Sequence, residues 1–125
     1  ISKEESDIIF QNRNDQAISD SIKYMGDAYD LLDPEAKFVI NDMAYNLGPN
    51  KLNKFKGLKK ALENQDYKRA ADELQYRNAD TKDEASPYYL QTGRRAKDHV
   101  QRLLDANNRK IAGDIQNDLI SNSIV

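Results

Sequence analysis

The sequence predicts an all-α protein. Three observations predict it. Apolar residues recur at three- and four-residue spacing along most of the chain, helix-capping residues stand just before those runs, and no segment alternates with the period of two that a half-buried strand requires. With 125 residues and 14.3 kDa, the chain can bury roughly two-thirds of its unfolded surface, so one core can form without a disulfide or a metal.

The elements follow in order. Ser2-Lys3-Glu4-Glu5 is a capping box, in which Ser2 accepts from the backbone three residues on and Glu5 reaches back. It opens a long polar helix with a thin apolar stripe of Ile8, Ile9, Phe10, Ala17, Ile18, Ile22 and Met25, stopped at Gly26. A short segment, Asp27 to Leu32, leads to Asp33-Pro34, an N-cap followed by proline at the first helical position. The helix it starts carries Ala36, Val39, Ile40, Met43, Ala44 and Leu47 and is expected to be the buried centre. Gly48-Pro49-Asn50 ends it in a turn. Phe55, Leu58, Ala61 and Leu62 mark the next helix, and Asp66 caps another with Tyr67, Ala70, Ala71 and Leu74 inward. Arg77 to Pro87 has no apolar periodicity and reads as an exposed, mobile loop without an apolar anchor, the first site expected to be cut in limited proteolysis. Tyr88-Tyr89-Leu90 restarts the pattern, and Thr92 is placed to cap a helix with Ala96, Val100, Leu103 and Leu104. Residues 105–125 form a separate helical extension or linker whose Ile111, Ile115 and Leu119 make one narrow stripe.

Composition excludes several functions. Nineteen basic and twenty-one acidic residues leave a net charge of −2, without the basic field that duplex nucleic acid demands, so no nucleic acid is expected as a partner. The absence of cysteine removes thiolate zinc sites and thiol nucleophiles. A single histidine, His99, argues against a histidine metal site or a Ser-His-Asp triad, and it reads as a surface or half-buried structural residue. No metal and no cofactor is implied. No apolar run approaches the ~20 residues of a membrane span. The chain starts at Ile1, not Met, and is expected to have been cut or processed.

Acids are plentiful, but a glycosidase needs two carboxyls flanking the scissile bond, one held protonated by a raised pKa. Asp72-Glu73 and Asp83-Glu84 read as solvated faces of a helix and a loop. The aromatics point further. Tyr45-Asn46 ends the central helix, and Tyr88-Tyr89 precedes Gln91-Thr92-Gly93-Arg94-Arg95. Rings for apolar sugar faces, with amide and guanidinium groups for hydroxyls, are the furniture of a carbohydrate groove; packed tyrosines with wet hydroxyl groups are the plainer reading.

The run Val39 to Gly48, then Phe55, then Asp66 to Leu74, then Tyr88 to Ala96, resembles the C-terminal lobe of the T-even phage lysozyme family, the bilobed phage muramidases. Ile1 to Phe10 looks like the start of that family's interlobe helix (residues 1–25), and Tyr29 to Asp33 like the segment before its central helix. The likeness covers about residues 1–104, and the finer pattern is closer to tail-baseplate members than to free endolysins. It implies a substrate-binding lobe, built as a bundle around a buried central helix, for hydrolysis of the β-1,4 bond between N-acetylmuramic acid and N-acetylglucosamine. It implies sugar contacts at Tyr45, Asn46, Leu58, Glu73, Gln91 and Arg95, although Leu58 replaces a small polar residue and Glu73 an amide. The loop between Leu74 and Tyr88 is enlarged against the family pattern.

The family's catalytic Glu, with an Asp nine residues on and a Thr six beyond that, belongs to its other lobe. Here only Glu63 has an Asp at that distance, Asp72, and Asn78 stands where Thr is needed. The chain alone is therefore expected to be inactive. The resemblance implies a peptidoglycan strand as partner, with a catalytic lobe or other phage tail proteins beside it, in the virion tail or in the bacterial periplasm during infection. The competing expectation is a non-catalytic tail module that keeps the fold and docks through Ile111, Ile115 and Leu119.

Overall fold

A computed structural model of the chain describes residues 2–124. It has seven α-helices and, among the described residues, no strand: α1 (Lys3–Met25), α2 (Pro34–Leu47), α3 (Pro49–Leu52), α4 (Lys56–Glu63), α5 (Tyr67–Gln75), α6 (Pro87–Thr92) and α7 (Arg94–Ile124). A 3₁₀ turn, Gly26–Leu31, joins α1 to α2. No helix among the described residues is long and apolar enough to cross a membrane.

Local chemistry sets the helix starts. Ser2 Oγ accepts from the Glu5 amide, Asp33 from Glu35 and Asp66 from Arg69, each satisfying an amide that the first helical turn leaves without a partner. Gly26 closes α1 at φ +61°, a conformation that costs a side-chain-bearing residue energy. Thr92 is not a cap. Its hydroxyl donates to the Tyr88 carbonyl inside α6, Ser86 caps α6, and Gly93 at φ +53° separates α6 from α7. Residues Pro87–Thr92 thus form their own short helix, separate from α7.

Packing gathers the apolar faces around α2, whose Ala36, Val39, Ile40 and Met43 are fully buried. Helix α1 lies against α2, and α5 against both α4 and α7. Helix α7 crosses the 104/105 position without a break, and Ala106 is still in the core. Beyond it Ile111, Ile115 and Leu119 are exposed, as are Ile8, Ile9 and Phe10 near the start of α1.

The loop after α5 is better anchored than its sequence suggests. The Arg77 amide donates to Glu84, Ser86 donates to Gln75 through its amide and to Leu74 through its hydroxyl, and Ala79 is buried. The fold-back also explains a second departure. Asp72 is 7% exposed, not solvated, because Lys68 (2.8 Å) and, from the loop, Lys82 (3.4 Å) close over it.

Candidate functional site

Two clefts concentrate the polar and aromatic groups. The first lies between α1 and α2, a cavity of about 360 Å³ lined by Phe10, Asn14 and Ile18 on one side and Phe38, Asn41, Asp42 and Tyr45 on the other. Tyr45 sits in the last turn of α2. Its ring centroid is 6.0 Å from that of Phe10, and the Arg13 guanidinium stands 4.7 Å above it. Phe38 is held under the Arg102 guanidinium at 3.9 Å, and Arg102 is fixed by Glu35 and Asp98, both at 2.8 Å. Two rings spaced along one helix, with two asparagine amides between α1 and α2, can stack on and hydrogen-bond a sugar-sized ligand.

Asp42 organises one end of this cleft. Asn46 donates to its carbonyl at 2.7 Å and to Oδ1 at 3.2 Å, while Arg95 approaches Oδ2 from α7 at 3.4 Å. Of the six residues expected at the sugar site, Tyr45, Asn46 and Arg95 are thus brought together. Gln91 lines a second cavity, of about 560 Å³, with Leu47, Lys51, Lys54, Phe55, Pro87, Tyr88 and Thr92. Leu58 is a correction: it is 1% exposed in the core, because α4 turns its Leu58, Ala61 and Leu62 face inward, and no sugar can touch it. Glu73 is half-buried, pinned by Arg69 at 3.1 Å and laid over Gly57, where an added Cβ would fall 2.4 Å from its Oε2. Its carboxylate is committed to the protein's own cation.

His99 joins the two cavities. It is 0% exposed, deeper than a surface or half-buried residue, and it is held at both ring nitrogens. Nδ1 lies 2.7 Å from the Tyr88 hydroxyl and Nε2 lies 2.7 Å from Asp42 Oδ2. An ionised Asp42 can only accept, so Nε2 carries the proton, Nδ1 accepts, and Tyr88 donates. Burial holds the imidazole below its usual value of 6.5, outweighing the opposing pull of Asp42. Burial likewise raises the Tyr88 phenol, with Asp42 adding to it. The relay is built for fixed neutral tautomers. Asp42 and His99 are 57 residues apart, and no spacing signal in the sequence links them.

A general acid needs a raised carboxyl pKa. Asp33 and Asp80 are held below the usual carboxylate range by hydrogen bonds from Arg109 and Arg69 respectively, so neither meets that requirement. Comparison with family models, with curated proteins and with solved structures returns no match.

Proposed function

We propose that this chain is the substrate-binding lobe of a phage-type, peptidoglycan-cleaving lysozyme, and that the catalytic carboxylates come from outside these 125 residues. The observation that carries the reading is the α1–α2 cleft. Tyr45, one of the residues the resemblance nominates, lines it together with Phe10 and Phe38, beside the amides of Asn14 and Asn41. Asn46 and Arg95, nominated on the same ground, meet at Asp42 on its rim. In this reading the lobe positions the glycan, and an acid from the absent lobe delivers the proton to the leaving oxygen.

The test is titration of an N-acetylglucosamine oligomer or a purified muropeptide, followed by amide NMR. Shifts are expected at Phe10, Phe38 and Tyr45, and Tyr45→Ala should weaken binding by about tenfold, as loss of one stacked ring from a shallow site would. Absence of shifts at millimolar ligand, or shifts confined to another face, would sink the proposal. Turbidity clearing of permeabilised Gram-negative cells by this chain alone would overturn the claim that it lacks the acid.

A second reading, a non-catalytic module of a phage tail, is favoured by one observation. The part of α7 beyond Ala106 carries Ile111, Ile115 and Leu119 exposed on one face. Cross-linking to tail proteins that persists without glycan binding would select that reading.

A further inference from the structure

Charge is distributed unevenly along this chain. From Met43 to Leu62 there is no Asp or Glu, while Lys51, Lys54, Lys56, Lys59 and Lys60 stand within ten residues. This is a local charge of +5 in a protein of net charge −2. Five of the arginines are tied to carboxylates: Arg69, Arg77, Arg95, Arg102 and Arg109. None of the five lysines is in an ion pair among the described residues. Lys56, Lys59 and Lys60 share the outer face of α4, because Leu58, Ala61 and Leu62 take the inner one. Five neighbouring unpaired ammonium groups repel one another, and a bound anion relieves that repulsion.

The patch adjoins a shaped cavity. Lys51 and Lys54 line the second cleft, with Gln91 and Thr92 across from them and Phe55 and Tyr88 also in its wall. Its volume of about 560 Å³ falls within the roughly 300–1,000 Å³ common for small-ligand sites. Phe55 and Tyr88 pack edge to face at 5.6 Å, and the His99 bond holds Tyr88 in place, so this wall is rigid.

From this we infer that the α3–α6 cleft and the adjoining lysines form an anion site for a phosphate-bearing glycan, separate from the α1–α2 cleft. One sugar residue would lie against Phe55 and Tyr88, with its hydroxyls facing Gln91 and Thr92. Lys51 and Lys54 would hold its phosphate, and Lys56, Lys59 and Lys60 the next phosphates along the polymer. Lysine ammonium groups meet phosphate oxygens as point charges from any side, with no fork geometry to satisfy. A single-stranded nucleic acid fits less well, since it uses a series of stacking aromatics along a groove. An acidic membrane fits less well too, since no large exposed apolar side chain lies between residues 43 and 62 to insert.

The experiment measures binding of the full chain to sugar-substituted poly(glycerol phosphate) by fluorescence anisotropy at about 50 mM and about 300 mM salt. Parallel probes are bare polyphosphate, polygalacturonate, single-stranded DNA and phosphatidylglycerol vesicles. The glycan phosphate is expected to bind most tightly and to weaken with salt. The exposed double variant Lys51→Glu/Lys54→Glu, with its helicity checked by circular dichroism, should lose at least about tenfold. Gln91→Ala should lose about threefold on the sugar-bearing polymer and nothing on polyphosphate. Tyr45→Ala should leave this binding unchanged, which separates the site from the one proposed above. No binding at low salt, no effect of the double variant, or equal or tighter binding of polygalacturonate, DNA or vesicles would overturn the proposal. Equal binding of bare polyphosphate would remove the cavity from it.

Discussion

Mild acidification should lower this protein's stability through His99, and the sequence contains no other histidine to obscure the effect. In the folded chain the buried ring is held neutral, its pKa below 6.5, by burial that outweighs Asp42. In the unfolded chain it titrates near the ordinary value. As pH drops through about 6.5 the unfolded state takes up a proton that the folded state refuses, so stability is lost as pH falls and is fully present above that range. A folded state that stays neutral throughout would cost about 0.1 kcal/mol at pH 7.5 and about 1.4 kcal/mol at pH 5.5, the latter an upper bound. Urea titrations at those two pH values measure the loss, and His99→Gln, which cannot titrate and keeps an amide to meet Asp42, should remove most of it. An equal loss in His99→Gln would refute the reasoning, because the proton uptake would then belong to carboxylates. An independent check uses the hydroxyl partner. Tyr88→Phe leaves Nδ1 without its donor and should cost about 1–3 kcal/mol, and markedly less in the His99→Gln background if the two groups act as one unit.

Other outcomes follow from the same structure. Met43 is fully buried against the other core residues, so Met43→Ala should cost about 2–5 kcal/mol in urea titration; less than about 1 kcal/mol would mean the core lies elsewhere. Asp33→Ala removes the α2 cap and should cost about 0.5–2 kcal/mol, whereas Arg109→Ala removes only an exposed pair and should cost clearly less. Because Arg109 holds the Asp33 carboxyl below its ordinary 3.8, the Asp33 contribution is present above that pH and fades as pH falls further, a trend that Arg109→Ala should blunt in acid titrations. The 77–86 loop should resist limited proteolysis until Ser86→Ala removes both the α6 cap and the hydroxyl bond to Leu74; rapid cutting of the unaltered chain there would show that Ala79 and the backbone bonds do not anchor it.

What could be read from the sequence was local. The caps at Ser2, Asp33 and Asp66, the stop at Gly26 and the buried stripe of α2 each depend on residues within a turn of one another, and local backbone chemistry decides them. The sequence also nominated Tyr45, Asn46 and Arg95, and the acid-free lysine segment was there to be seen. Tertiary packing decided the rest. A leucine at helical spacing is equally at home in a core or beside a ligand, and only the face that α4 turned inward buried Leu58. Asp72 looked solvated until the loop returned Lys82 to it. The Tyr88–His99–Asp42 relay joins three elements through bonds spanning 11 and 57 residues, and a hydrogen bond depends on separation in space, which no spacing along the chain reports.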